Sequence, residues 1–84
     1  MNFNNRMTKN TIIKKIIDNF FIKKEGKTFL RNIEKKNLVD EGFIDSLDIL
    51  TITSEIEKKT NKKIDISKPK NFNKFNKYKD LINI

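Results

Sequence analysis

The sequence predicts an all-α fold, a small four-helix bundle with three longer helices, one short helix and a long first loop. Apolar residues recur at spacings of three and four in three separate stretches, which is the period of helices that bury one face. No stretch has the pattern of a credible β-sheet. The chain has 84 residues, so we expect a single domain over residues 1–84, with a thin core and with residues 1–7 frayed.

The first helix is predicted from Thr8 to Lys24. Its broad apolar face is formed by Ile12, Ile13, Ile16, Ile17, Phe20 and Phe21. Lys23 and Lys24 suit the negative end of the helix dipole, and Gly26 suits the position just after the helix. Residues 25–45 then make a long connection. We expect a short apolar turn to attach it to the core, at Thr28, Phe29, Leu30 and Ile33.

The second helix is predicted to begin at Asp45 or Ser46 and to run to about Lys59. Asp45 and Asp48 stand three residues apart, which is the spacing of a capping box. The acids at the start and the lysines Lys58 and Lys59 at the end both agree with the direction of the helix dipole.

Two apolar stripes lie on nearly opposite sides of this helix, at ~100° per residue. The first stripe is Ile49, Ile52 and Ile56, and the second is Leu47, Leu50 and Ser54. A small domain needs one stripe for its core, so we assign the first stripe to the core. We assign Leu47 and Leu50 to an exposed recognition edge beside Ser46. The alternative is that the long loop buries both stripes.

Two further helices are predicted after a polar turn at residues 60–63. Pro69 suits the first turn of a helix, which predicts a short third helix over residues 68–72. A last helix is predicted from about Asn73 or Asn76 to the end of the sequence. Its apolar residues, again at spacings of three and four, are Phe72, Phe75, Tyr78, Leu81 and Ile82.

The composition excludes several kinds of chemistry. The chain has no Cys and no His, which removes disulfides, thiolate nucleophiles and the commonest general base and metal ligand. We therefore expect no metal site. No apolar stretch reaches ~18 residues, so we expect a cytoplasmic protein without a signal peptide or membrane insertion.

The charge of the chain is unevenly distributed. Its formal net charge is +8, yet residues 37–57 hold six acids and no Lys or Arg. A basic balance invites a nucleic-acid function, with the candidate residues Lys14, Lys15, Lys23, Lys24, Lys62 and Lys63. The composition is also biased towards Lys, Asn and Ile, and this bias alone explains the positive charge without any selection for binding a polyanion. Because the acidic second helix would repel a polyanion, we expect no nucleic-acid partner and keep a basic helical nucleic-acid binder as the alternative function.

Ser46 is the candidate functional residue, at the loop-to-helix junction inside the acidic window. A serine hydroxyl needs a neighbouring base to act as a nucleophile, and residues 37–57 contain no His or Lys. We therefore expect no catalytic residue and no enzyme activity. Two roles remain open: Ser46 caps the helix, or it carries a phosphodiester, which the N-terminus of a helix accommodates well.

Residues 42–50, Gly-Phe-Ile-Asp-Ser-Leu-Asp-Ile-Leu, resemble the attachment-site motif of acyl carrier proteins. The core of that motif is Asp-Ser-Leu, followed by an apolar and acidic helix. The resemblance extends over about residues 8–84 in the order of the helices and the long first loop. Residues 40–46 are closer to carriers of specialised pathways, including D-alanyl carriers, than to the housekeeping fatty-acid type. Thr51, Ser54 and the positive net charge depart from the family pattern.

The resemblance implies an acyl-carrier-like bundle in which a phosphopantetheinyl transferase attaches 4'-phosphopantetheine from coenzyme A to Ser46. The arm would carry acyl or aminoacyl groups as thioesters, loaded by a ligase and passed to acyltransferases or synthases. The partner-recognition residues implied by the family are Asp45, Leu47, Asp48, Leu50 and Glu57. The protein is then expected to be a monomer. A third possibility is a bundle that only docks other proteins and whose Ser46 is never modified.

Overall fold

The structure is a computed structural model, and it describes residues 8–84. The α-helices in this range are α1 (Lys9–Glu25), α2 (Ser46–Thr60), α3 (Pro69–Asn73) and α4 (Tyr78–Leu81). Residues 8–84 contain no β-strand, so the predicted all-α fold is confirmed for this range. None of these helices combines the length and the apolar character needed to cross a membrane. The fraying predicted for residues 1–7 concerns positions outside the described range.

The first helix and the loop after it agree with the sequence-based expectation. α1 is capped by Thr8, whose side chain accepts a hydrogen bond from the N–H of Thr11 at 3.1 Å. Gly26 ends the helix with a φ of 95°, a value that glycine adopts without steric cost. The loop then forms two short 3₁₀ helices, Lys27–Arg31 and Ile33–Lys35. Within them Ile33 is buried, as expected of a turn that attaches the loop to the core.

One core joins α1, α2, α4 and the first loop, while α3 contributes no buried residue to it. Its buried apolar side chains are Ile13, Ile16, Ile17, Phe21, Ile33, Leu38, Ile44, Ile49, Ile52, Ile56, Phe75, Tyr78, Leu81 and Ile84. The core stripe predicted for α2 is thus confirmed. Stacked and edge-on ring contacts link Phe21 to Phe29 and Phe29 to Phe43. They connect α1 to the residues just before α2, where Ser46 lies.

The predicted length of the last helix is wrong. α1 and α2 have 17 and 15 residues, but α3 has 5 and α4 only 4. The fold therefore has two longer helices and two short ones. Between the short helices a 3₁₀ turn, Lys74–Asn76, leads into Lys77, whose φ of −123° and ψ of 132° are extended.

Tertiary hydrogen bonds to Asn76 explain this break. Its carbonyl oxygen accepts from the N–H of Leu38 at 2.7 Å, which directs this carbonyl towards the first loop. Its side-chain oxygen accepts from the N–H groups of Val39 and Asp40 at 2.9 and 3.0 Å. These bonds satisfy backbone groups of a loop that would otherwise lack partners. Asn76 thereby fastens the end of the first loop to the C-terminal part of the fold.

Candidate functional site

Ser46 is the first residue of α2, and the residue that caps this helix is Asp45. The Asp45 carboxylate accepts a hydrogen bond from the N–H of Asp48 at 2.9 Å. In return, the Asp48 carboxylate accepts from the N–H of Asp45 at 3.0 Å. The predicted capping box is confirmed, and Asp45 rather than Ser46 holds the cap. Capping therefore does not account for a serine at position 46.

The hydroxyl of Ser46 is exposed and makes no hydrogen bond to any residue of the described range 8–84. The side chain stands at the positive end of a 15-residue helix. A phosphate ester at this position would face free backbone N–H groups and the favourable end of the helix dipole. The local structure is thus compatible with a phosphodiester on Ser46, and the fold makes no other use of the hydroxyl.

Lys24 completes the site, and the sequence analysis missed its role. Its ammonium group donates to the Asp48 carboxylate at 2.5 Å and to the carbonyl oxygen of Phe43 at 2.8 Å. Phe43 precedes Ser46 by three residues and Asp48 follows it by two, so Lys24 bridges the two sides of the serine. The sequence feature that could have indicated this role is the spacing of Lys24, which stands four residues after Phe20 and three after Phe21. That places a cation at the end of the apolar face of α1.

The outer stripe of α2 is exposed, as predicted. The side chains of Leu47 and Leu50 are 72% and 52% exposed, and the alternative in which the loop buries both stripes is wrong. Large apolar side chains on a surface often mark a contact with another molecule. Leu47 follows Ser46 directly, and Leu50 is one turn further along the helix. The exposed edge therefore lies beside the candidate attachment residue.

The acids that the resemblance implies for partner recognition also have contacts within the chain. Asp48 is paired with Lys24, and the Glu57 carboxylate accepts from the N–H of Ile64 at 3.0 Å. Asp45 is exposed although it caps α2. Whether these residues bind a partner stays a prediction. A partner that contacts Asp48 or Glu57 would meet a carboxylate that already accepts hydrogen bonds within the chain.

The other acids of the window 37–57 stabilise their surroundings too. Asp40 accepts from the side-chain amide of Asn76 at 3.1 Å, and Glu41 accepts from the N–H of Asn37 at 2.9 Å. Glu55 is paired with Lys59 at 3.0 Å along α2. The local concentration of acids is thus explained in large part by the hydrogen bonding of the loop and the helix.

Three of the six lysines considered for nucleic-acid binding are engaged inside the protein. Lys14 is paired with Asp18 at 2.7 Å, and Lys24 is paired with Asp48. The Lys62 ammonium donates to the carbonyl oxygen of Ile84. The two carboxylate pairings offset part of the positive charge that the set offers to a polyanion, and the third contact directs the Lys62 ammonium to a backbone carbonyl. They therefore give no support to the alternative function.

A groove of about 500 Å³ runs between α1 and α2. It is lined by Ile16, Asn19, Phe20, Ile22, Lys23, Thr51, Ile52, Glu55 and Lys59.

A smaller depression of about 260 Å³ lies beside Phe72, which is 41% exposed. Residues 8–84 contain no group of three or more carboxylates placed to hold a metal ion.

Comparison of the chain with protein-family models, with curated proteins and with solved structures gives no match in any of the three. The distinctive features around Ser46 are its exposed hydroxyl, the capping pair Asp45 and Asp48, the Lys24 bridge and the exposed edge of α2.

The Asp48 carboxyl makes the free energy of unfolding depend on pH in the acidic range. Burial acts to raise its pKa, but the hydrogen bonds from Lys24 and from the N–H of Asp45 outweigh burial, so the pKa lies below its ordinary value of 3.8. A carboxyl with a lowered folded-state pKa stabilises the protein above its unfolded-state pKa, and this contribution is lost as the pH falls through the folded-state value.

We expect Asp48→Asn to lower the free energy of unfolding by about 1–2 kcal/mol at neutral pH, because a charge-assisted hydrogen bond is lost. The difference from wild type should begin to shrink once the pH falls below the ordinary carboxyl pKa, and it should vanish below the lowered folded-state pKa of Asp48, where the wild-type carboxyl is itself protonated. Urea unfolding at several pH values measures both effects. Asp80→Asn, at an exposed acid of α4, is the control. A difference that stays constant from neutral pH to strong acid would contradict this role of the Asp48 charge.

Proposed function

We propose that the protein is a carrier that bears acyl or aminoacyl groups as thioesters on a 4'-phosphopantetheine arm attached to Ser46. The observation that carries the proposal is the state of the Ser46 hydroxyl. It is exposed at the first residue of α2 and has no partner within residues 8–84, because Asp45 and Asp48 cap the helix between them. A serine that the fold does not use, at a position suited to phosphate, supports a role as an attachment point.

The chain supplies the acceptor hydroxyl and relies on partners for the rest of the chemistry. It has no Cys and no His, so the thiol would come with the arm and the base would come from a transferase. The Ser46 oxygen would bond to the phosphorus that carries the pantetheine in coenzyme A. The phosphoanhydride bond would break, 3',5'-ADP would leave, and the hydroxyl proton would pass to the base of the transferase.

The surface beside Ser46 supports recognition by partner proteins. Leu47 and Leu50 present apolar side chains to solvent, and the exposed residue Asp45 lies two positions before Leu47. An apolar patch with a charged rim is the usual composition of a transient protein contact. A transferase, a loading ligase and later acyltransferases or synthases would use this edge in turn. The carrier itself would be a monomer and would have no catalytic residue.

The proposal is tested by incubating the purified protein with coenzyme A and a broad-specificity phosphopantetheinyl transferase, followed by intact mass measurement. We expect the mass to rise by one phosphopantetheine group, and fragmentation should place the group on Ser46. No gain in mass under conditions that modify an established carrier would contradict the proposal. Steeply salt-dependent binding to DNA or RNA would instead favour the alternative of a nucleic-acid binder.

A further inference from the structure

Lys24 connects α1 to the turn that presents Ser46. Its ammonium group lies 2.8 Å from the carbonyl oxygen of Phe43 and 2.5 Å from a carboxylate oxygen of Asp48. That same carboxylate oxygen accepts the N–H of Asp45 at 3.0 Å. One lysine therefore bridges the backbone carbonyl of Phe43, which precedes Ser46, and the carboxylate of Asp48, which follows it.

This ion pair differs from the other ion pairs of the described range. Lys14 pairs with Asp18 and Lys59 pairs with Glu55, each within one helix and four residues apart. Lys24 and Asp48 are 24 residues apart and join two elements. The side chains of Lys24 and Asp48 are only 34% and 18% exposed, so solvent screens this pair less than a fully exposed one. The ammonium also lies 5.7 Å from the centroid of the Phe20 ring, a distance at which the ring face attracts a cation.

The pair has two effects on Ser46. It holds the carbonyl of Phe43 and the carboxylate of Asp48 at fixed positions, which defines the path of the chain through residues 43–48. It also places a positive charge against Asp48, two residues from Ser46, where an uncompensated carboxylate would repel an incoming phosphate. Neither effect requires Lys24 to touch the substrate.

We propose that Lys24 is a positioning residue for the modification of Ser46, an inference that rests on the carrier function proposed above. It orients the turn that bears the Ser46 hydroxyl and neutralises Asp48 while coenzyme A, an anionic substrate, approaches. The reaction is the transfer already described, in which the Ser46 oxygen bonds to phosphorus and 3',5'-ADP leaves. Lys24 takes no proton and forms no bond in it.

The test compares initial rates of modification for wild type, Lys24→Met, Lys24→Arg and the control Lys23→Met, with kcat and KM determined for the carrier and for coenzyme A. Lys23 is the neighbouring lysine and lines the groove between α1 and α2 rather than the turn. We expect Lys24→Met to lower kcat/KM by roughly tenfold, less than the ~100-fold that a misplacement of ~1 Å can cause. Lys24→Arg should recover most of the loss, and Lys23→Met should match wild type.

A second measurement separates positioning from stability. Rates are taken at a temperature where circular dichroism shows every variant to be folded. Asp48→Asn and the double variant Lys24→Met/Asp48→Asn are included. If Lys24 acts by neutralising Asp48, the effect of Lys24→Met should become clearly smaller once residue 48 is uncharged.

The outcomes are distinct. If the folded Lys24→Met protein is modified as fast as Lys23→Met, the role of Lys24 is overturned while the carrier function stands. The role is also overturned if the fall in the modification rate of Lys24→Met is proportional to the unfolded fraction alone. The same conclusion follows if the fall is no smaller in Lys24→Arg and no smaller when Lys24→Met is combined with Asp48→Asn. If wild type itself is not modified, the carrier function fails, and the inference about Lys24 fails with it.

Discussion

Ser46→Ala is expected to abolish modification by a phosphopantetheinyl transferase and to leave the fold intact. The mass should stay at that of the unmodified chain because no other hydroxyl occupies the first residue of α2. The free energy of unfolding should change by less than about 0.5 kcal/mol, because alanine is a good helix former and the cap is provided elsewhere. Asp45 provides that cap with Asp48. Intact mass and urea unfolding measure the two results.

Ser54→Ala is the matched control, since Ser54 is an exposed serine in the same helix. It should be modified at the wild-type rate and should unfold at the wild-type urea concentration. A loss of about 1 kcal/mol or more in Ser46→Ala would mean that the hydroxyl contributes to capping after all. Continued modification of Ser46→Ala would place the attachment site on another residue and would remove the basis of the carrier proposal.

Phe75→Ala is expected to cost about 3–5 kcal/mol of folding free energy, the usual result of emptying the site of a buried aromatic side chain. Phe75 is fully buried and lies between the two short helices. A domain of this size has a total stability near the lower end of about 5–15 kcal/mol, so the variant should be largely unfolded in moderate urea. Far-ultraviolet circular dichroism against urea concentration gives the measurement.

Phe72→Ala provides the comparison, because Phe72 is three residues earlier and 41% exposed. It should cost about 1 kcal/mol, the ordinary value for a partly exposed position. Equal losses for the two variants would show that residues 72–75 pack differently from the structure described above.

Much of the fold followed from local patterns. The start of α2 was predictable because Asp45 and Asp48 have the spacing of a capping box, which depends only on residues close in sequence. The two stripes of α2 were predictable for the same reason, since residues three or four positions apart lie on the same face of a helix. The small size of the domain favoured the exposure of Leu47 and Leu50, but burial by the long loop stayed open until the structure showed both side chains exposed.

Contacts between distant parts of the chain were not predictable from local patterns. The apolar spacing from Phe72 to Ile82 suggested one continuous last helix, but the bonds of Asn76 to Leu38 and Val39 interrupt it. The bridge from Lys24 to Asp48 also crosses 24 positions of the sequence. A cation on an apolar face was visible in the sequence, but nothing there identified the carboxylate it would meet.

The bonds of Asn76 have a consequence for the order of events during synthesis of the protein. Val39 belongs to the loop that leads into Ser46, and its N–H is held by a side chain 37 residues later in the chain. On a ribosome, this part of the loop lacks its partner until Asn76 has left the exit tunnel. If a transferase requires the finished turn, it would act only after translation of the C-terminal segment.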